Sequence, residues 1–166
     1  MIILGIDPGL ATIGYGVIEV IGNKFKTLEY GIISTPAKMD FANRLLKIHR
    51  DLDIIIRKYR PDDIAFEELF FNKNVKTAIN VAHARGVLIL TSKMYNEELY
   101  EYTPLQIKQA VVGYGRADKN QVQQMVKFIL NLEKIPKPDD AADALAVALI
   151  HAFCLKNKDL YRMKWW

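Results

Sequence analysis

Four carboxylates in this chain stand where apolar packing would otherwise be expected: Asp7 at the end of MIILGID, Glu67 at the end of DDIAFE, and Asp140 and Asp143 inside DDAADALAVALIHAF. An isolated carboxylate taken out of water is penalised by several kcal/mol or takes up a proton, so acids set in core-like sequence are paired, hydrogen-bonded or metal-bound. The sequence shows no comparable set of buried bases to pair with them. Charges placed there want a cation, and a fold that accepts them has to supply one or another partner for each.

Those segments are legible from periodicity. MIILGID is a short, β-branched apolar run closed by Pro8-Gly9, which predicts a buried strand ending at Asp7. GYGVIEVI (14–21) and KFKTLEYGIIS (24–34) flank Gly22-Asn23 as a hairpin, so three antiparallel strands open the chain. Asp40 is placed to cap a helix in which Phe41, Leu45, Ile48, Leu52 and Ile55 recur at helical spacing until Pro61 stops it. The consecutive apolar residues Ile64, Ala65 and Phe66 predict a strand covered on both faces, with Glu67 at its end. A helix over 75–94, a short strand over 98–102 and a helix over 104–112 opening with Pro104 follow. After the glycine loop GYGRADKN, Asp118 can cap a helix running to about Leu132, and Pro136 and Pro138 set off a last helix. The order β-β-β-α-β-α-β-α-α-α contains no repeat or linker, and 166 residues with 51% hydrophobic content suit one domain with one sizeable core.

Composition removes several function classes. The longest apolar runs, VLIL (87–90) and ALAVALI (144–150), fall far short of a membrane-spanning helix. The start of the chain has no basic segment followed by a cleavage site, and the single cysteine, Cys154, excludes an internal disulfide; a cytoplasmic location is expected. The net charge of +4 says little, but its distribution says more. Residues 73–93 carry Lys73, Lys76, Arg85 and Lys93 without an acid, and 156–166 carry Lys156, Lys158, Arg162 and Lys164 against Asp159 alone. A polyanion suits such patches, with solvated helix faces as the plain alternative.

Asp140 and Asp143 are three apart on a helix and project from one face. Two carboxylates that close repel, and a divalent cation would hold both ionised; acids in a first helical turn are also favoured by the macrodipole without any ligand. Asp7 before Pro8-Gly9 could equally serve only the turn. Hard oxygen donors drawn from several rigid elements are what Mg²⁺ or Mn²⁺ select, and zinc is disfavoured because His49, His83 and His151 have no ligand spacing. His151, eight residues beyond Asp143, reads as a core or surface residue. No phosphate-binding glycine fingerprint precedes a helix, and Ser34, Ser92 and Cys154 have no recognisable activator, so a metal-activated water on a phosphodiester fits better than a covalent nucleophile. At this point Glu68 competes with Glu67, and Asp139 with Asp140.

Five motifs in order, GIDPGLATIGYGV (5–17), FEELFFNKN (66–74), ARGV (84–87), QIKQAVVGYGRADKNQVQQMV (106–126) and DDAADALAVA (139–148), resemble the RuvC family of bacterial Holliday junction resolvases, within the RNase H-like superfamily. The resemblance runs from Met1 to His151. It implies an α/β fold with a mixed five-stranded sheet, three antiparallel N-terminal strands plus two parallel, flanked by helices on both faces. Residues 1–155 would form the nuclease domain and 156–166 a basic, aromatic tail in which Trp165 and Trp166 have no assigned role. The implied catalytic and metal-binding tetrad is Asp7, Glu67, Asp140 and Asp143, holding two Mg²⁺ per subunit with Mn²⁺ able to substitute. Phe70 matches an aromatic wedge into the junction, with a core phenylalanine as the alternative. Lys108 and Lys119 match DNA-contacting bases, Lys73 joins them, and Arg85 serves either DNA or the helix that makes the dimer interface. The implied activity is paired symmetric nicking of four-way junction DNA by a homodimer, with a branch-migration motor complex as a further partner. Two rivals are a non-catalytic junction-binding module, which predicts loss of the acids, and an actin- or sugar-kinase-like nucleotide-binding fold, which is larger and duplicated.

Overall fold

Five strands form one sheet in the order β3-β2-β1-β4-β5. A computed structural model describes residues 1–69 and 75–164. β1 (Ile2–Asp7) lies at the centre, antiparallel to β2 (Thr12–Ile21), which pairs antiparallel with β3 (Lys24–Ser34). On its other side β1 runs parallel to β4 (Asp63–Glu67), and β4 parallel to β5 (Leu99–Tyr102). The expected mixed sheet of three antiparallel and two further parallel strands is therefore present. Gly22, at φ 61°, makes the turn between β2 and β3.

Helices cover both faces because β1 and β4 are apolar on both sides. Strand alternation sends Leu4, Ile6, Ile64 and Phe66 toward α1 (Phe41–Tyr59) and α2 (Val75–Lys93), where Ile48, Leu52, Ile56 and Leu88 meet them. The opposite face, with Ile3, Ala65, Tyr100 and Tyr102, packs against α3 (Pro104–Val112), α4 (Lys119–Ile129) and α5 (Asp139–Phe153). The parity that buries Ile3 turns Gly5 and Asp7 to the α5 side, and the parity that buries Ala65 turns Asp63 and Glu67 there too.

Helix ends follow local chemistry. Asp40 accepts hydrogen bonds from the backbone N–H groups of Ala42 and Asn43, and α1 closes at Arg60, left-handed at φ 46°, just before Pro61. Thr103 with Gln106 and Asp118 with Gln121 form reciprocal capping boxes that start α3 and α4. α4 ends at Ile129, short of the expected Leu132, because Asn131 adopts a left-handed φ of 49° that a helix cannot continue through. Beyond α5, Leu155–Tyr161 form a 3-10 helix that periodicity does not reveal. After it the chain runs along β5, where Arg162 pairs with Tyr100 and the Met163 N–H donates to the Leu99 carbonyl at 2.8 Å. Among the described residues no helix is long and apolar enough to cross a membrane.

Candidate active site

α5 lies almost in backbone contact with the sheet because glycines line its path. A Cβ at Gly14 would stand 1.9 Å from the Asp140 carbonyl oxygen, one at Gly5 2.2 Å from the Ala144 oxygen, and one at Gly16 2.8 Å from a Leu145 methyl. Gly14 is also the residue opposite Asp7 in the β1–β2 pair. The first turn of α5 is thus lowered onto the end of β1, while the parallel β1–β4 pairing brings Glu67 alongside.

The outcome is an open pocket of about 320 Å³ lined by Asp7, Glu67 and Asp143 together with Lys108 and Lys119. Pro104 and Ile107 of α3, Val122 of α4 and Ala146 of α5 supply apolar wall. Asp140 is not in the lining, but its charge reaches both Asp7 and Asp143. Glu68 turns away to a second groove beside Arg85 and Glu101. Asp139 faces Lys137 at 2.8 Å and Lys119 at 3.7 Å.

Burial and mutual repulsion dominate the electrostatics. Asp7 is pushed up to about 8, first by burial and then by the charges of Glu67, Asp143 and Asp140. Glu67 is pushed up to about 7 by burial and by Asp143, with Lys119 and Lys108 opposing. Burial also raises Asp143, against a 3.0 Å contact from the Lys119 ammonium. Lys119 is one cation, half-exposed, among four acids, so repulsion is only partly relieved. Among the described residues no three acids or imidazoles are closed into a ready-made cage; the carboxylates surround the opening instead.

A pH dependence follows. An acid whose pKa is raised by folding binds more protons folded than unfolded, so its contribution to stability falls as pH rises from the ordinary carboxylate value of 3.8 toward about 8. In chelator, melting temperature should decline between pH 5 and 9, and Asp7→Asn should flatten that decline. Identical slopes for the variant and the parent would show that Asp7 is not responsible.

Other residues singled out in the sequence lie elsewhere. The half-buried Arg85 is ion-paired with Glu101, away from the acidic pocket. Of the basic C-terminal residues, Lys158 is bonded to Asp63 at 2.7 Å and Arg162 to Asp159 at 2.9 Å, which commits both within the chain and reduces the expected polyanion patch there. Phe70, Lys73, Trp165 and Trp166 lie outside the described residues. His151 is a core residue, one of the two expected placements. The bond between Lys119 and Asp143 escaped the sequence reading, although Lys119 opens α4 next to its Asp118 cap. The glycine track under α5 was visible as G-Y-G at period two in β2.

Comparison with known proteins shows the family. The family model for crossover junction endodeoxyribonuclease RuvC matches residues 3–151. The chain belongs to the RuvC family. Among RuvC-family relatives, crossover junction endodeoxyribonuclease RuvC of Alkaliphilus oremlandii is 61% identical over 164 residues, covering 99% of this chain and 100% of that one. Its counterpart in Alkaliphilus metalliredigens is 58% identical over the same length, with the same coverage. The solved structure of Thermus thermophilus RuvC in complex with a Holliday junction substrate superposes with a TM-score of 0.92 at 34% identity, covering 98% of this chain and 99% of that one. The RuvC-like fold is thus accompanied by the four acids that a non-catalytic binding module has no need to keep.

Proposed function

We propose that this protein is a divalent-metal-dependent endonuclease that resolves four-way DNA junctions as a homodimer, nicking two strands of like polarity at symmetric positions. The observation that carries this reading is the convergence of Asp7, Glu67 and Asp143, with Asp140 beside them, around one open pocket flanked by Lys108 and Lys119.

The pocket fits a hard cation by its donor chemistry. Among the described residues its polar side chains are carboxylates and ammonium groups, with no thiol, imidazole or hydroxyl, and three of the acids are held above the ordinary carboxylate range by burial and repulsion. Asp7, Glu67, Asp140 and Asp143 would hold two Mg²⁺, or Mn²⁺ in their place. Bound there, the ions supply activation of a water and stabilisation of the leaving oxygen in phosphodiester hydrolysis. The chain's own residues do the rest. Lys108 and Lys119 at the rim receive the DNA phosphates, and Lys119 is placed to exchange its bond to Asp143 for a phosphate oxygen. Gly113, left-handed at φ 80°, turns the loop between α3 and α4 so that backbone can approach the DNA. Pro104, Ile107 and Val122 keep one wall dry, which strengthens each charge interaction inside.

The direct test is incubation of the protein with a labelled four-way junction and Mg²⁺, with linear duplex as control. Paired nicks at symmetric positions in the junction, abolished by chelator, are expected; equal cutting of linear duplex would refute junction selectivity. Binding should weaken steeply with salt because lysine–phosphate contacts release counterions.

The homodimer reading is supported by α2. Its solvent side carries Ile79 and Leu90, 52% and 66% exposed, with Ala82 and Gly86 between them. An apolar helix face interrupted by small residues suits close approach of a second helix, and two-fold symmetry would supply one active site for each strand cut. Leu90→Asp is expected to give a monomer in sedimentation and to uncouple the two nicks. A variant that stays dimeric would place the interface elsewhere. Cytoplasmic placement and docking of a branch-migration motor complete the reading that the family suggests.

A further inference from the structure

Two intervals in this fold match. Eight residues of α5 separate Asp143 from His151, about 12 Å at roughly 1.5 Å per helical residue. Four residues of β4 separate Glu67 from Asp63, about 13 Å at roughly 3.3 Å per strand residue. α5 crosses β4 in the opposite direction, so Asp143 meets Glu67 at one end of the overlap and His151 meets Asp63 at the other.

At that far end lies a buried polar cluster that phosphodiester chemistry does not use. His151 has no exposed surface; its Nε2 stands 2.8 Å from Asp63 Oδ2 and its Nδ1 2.8 Å from the Tyr102 hydroxyl. Lys158 of the C-terminal 3-10 helix places its ammonium 2.9 and 2.7 Å from the two Asp63 oxygens. With Asp63 ionised beside Lys158 and able only to accept, Nε2 carries the proton and donates to it, and Nδ1 shares the second hydrogen bond with the Tyr102 hydroxyl, which can pair with it in either direction. Tyr102 is in turn the residue opposite Glu67 in the β4–β5 pair. One imidazole thus ties the helix that carries Asp140 and Asp143 to the strand that carries Glu67 and to that strand's neighbour.

Between the two ends, α5 crosses the strands where they carry glycine, with Leu145 packed on Gly16. Ala144 and Ala148 cross Gly5, and the Asp140 backbone crosses Gly14. At these crossings the close approach leaves axial position to the aliphatic side chains around them, such as Leu145 and Leu149, and to the polar cluster at the far end. A ring bonded at both nitrogens defines its position to within hydrogen-bond tolerance, which an aliphatic side chain of that volume cannot do.

We infer that His151 is a positioning residue for the acidic pocket: held by Asp63 and Tyr102, it fixes the axial position of α5 on β4 and β5 and so sets how far Asp143 and Asp140 stand from Glu67 and Asp7. The inference rests on the reading of those acids as the metal site. Lys158 makes the lock depend on the C-terminal 3-10 helix, because removing its charge leaves Asp63 buried with less compensation.

Mn²⁺ binding to the full-length protein, followed by loss of the free-ion paramagnetic resonance signal, tests this apart from cleavage. His151→Leu should weaken Mn²⁺ binding by about ten- to a hundred-fold, the range seen when groups that orient metal ligands are removed. Tyr102→Phe, which keeps the ring and deletes one hydroxyl, should weaken it several-fold, and Lys158→Met should act in the same direction. His151→Gln, which can still pair on both sides, should recover part of the loss. Leu52→Ala, in the core on the opposite sheet face, should lower the melting temperature while leaving Mn²⁺ binding unchanged. Parental Mn²⁺ affinity in His151→Leu and Tyr102→Phe would overturn the positioning role alone. Equal Mn²⁺ binding by the parent and Asp143→Asn would overturn the metal-site reading and this inference with it.

Discussion

Asp143→Asn and Asp7→Asn are each expected to lower junction cleavage by about a thousand-fold or more while leaving junction affinity within a few-fold of the parent. Each factor of ten in rate corresponds to about 1.4 kcal/mol of barrier, and a metal ion at the reacting phosphate supplies several kcal/mol, so loss of one ligand readily accounts for three decades. Asparagine keeps the size of the side chain and removes the charge, so the fold has no reason to fail. Asp7 in particular is buried among three like charges, and its neutralisation should raise the melting temperature in chelator at alkaline pH. Asp143→Asn also removes the shorter of the two ion pairs of Lys119, leaving Asp139 at 3.7 Å, but that ammonium is half-exposed and the lost pair is worth little. DNA affinity should hold or improve, because an anionic pocket loses one charge while Lys108 and Lys119 remain. Undiminished cleavage in both variants would remove these acids from the chemistry.

The second large effect is expected at a residue with no side chain. Gly14→Ala should destabilise the protein by about 3 kcal/mol or more, at or above the upper end of the usual range for overpacking. The added methyl would lie 1.9 Å from the Asp140 carbonyl oxygen; its position is fixed by the β2 backbone and its partner is backbone, so neither can turn aside. For a chain of this length the melting temperature should fall by roughly 6–12 °C. Since the clash falls at the first turn of α5, any folded fraction should also cleave poorly, with the helix lifted off the end of β1. Near-parental melting and cleavage in Gly14→Ala would mean that α5 does not sit as close to the sheet as described.

Much of the fold was legible because it depends on short-range rules. The Pro8-Gly9 stop, the Gly22-Asn23 turn, the Asp40 and Asp118 caps and the consecutive apolar residues of β4 each announce an element within a few residues of themselves. The acids were legible for a different reason, since their positions at strand ends and in a first helical turn conflict with the apolar segments around them. Choosing between Glu67 and Glu68 was harder. Strand parity separates them, but only once Phe66 is known to face α1 and α2 does Glu67 turn to α5. Pairings across long stretches of chain were not legible. Asp63 with His151 spans 88 residues, and Lys119 with Asp143 joins two different helices. The 3-10 helix after α5 was missed because Leu155–Tyr161 has no apolar period and is held by contacts with β5.

The arrangement of the sheet borders has a consequence for how two copies can meet. β5 has the chain's own Arg162 and Met163 along its outer side, so its backbone is partly occupied. β3 is long, but its pairing with β2 is broken by a bulge between Val17 and Ile18, and it begins with the exposed lysines Lys24 and Lys26. A bulge and edge charges discourage another strand from docking, and so does a border already in use. Continuous β-pairing between molecules is therefore disfavoured on both flanks, which helps to protect a half-apolar chain from open-ended aggregation. It leaves association to helix surfaces, where a closed pair can form without inviting a third member.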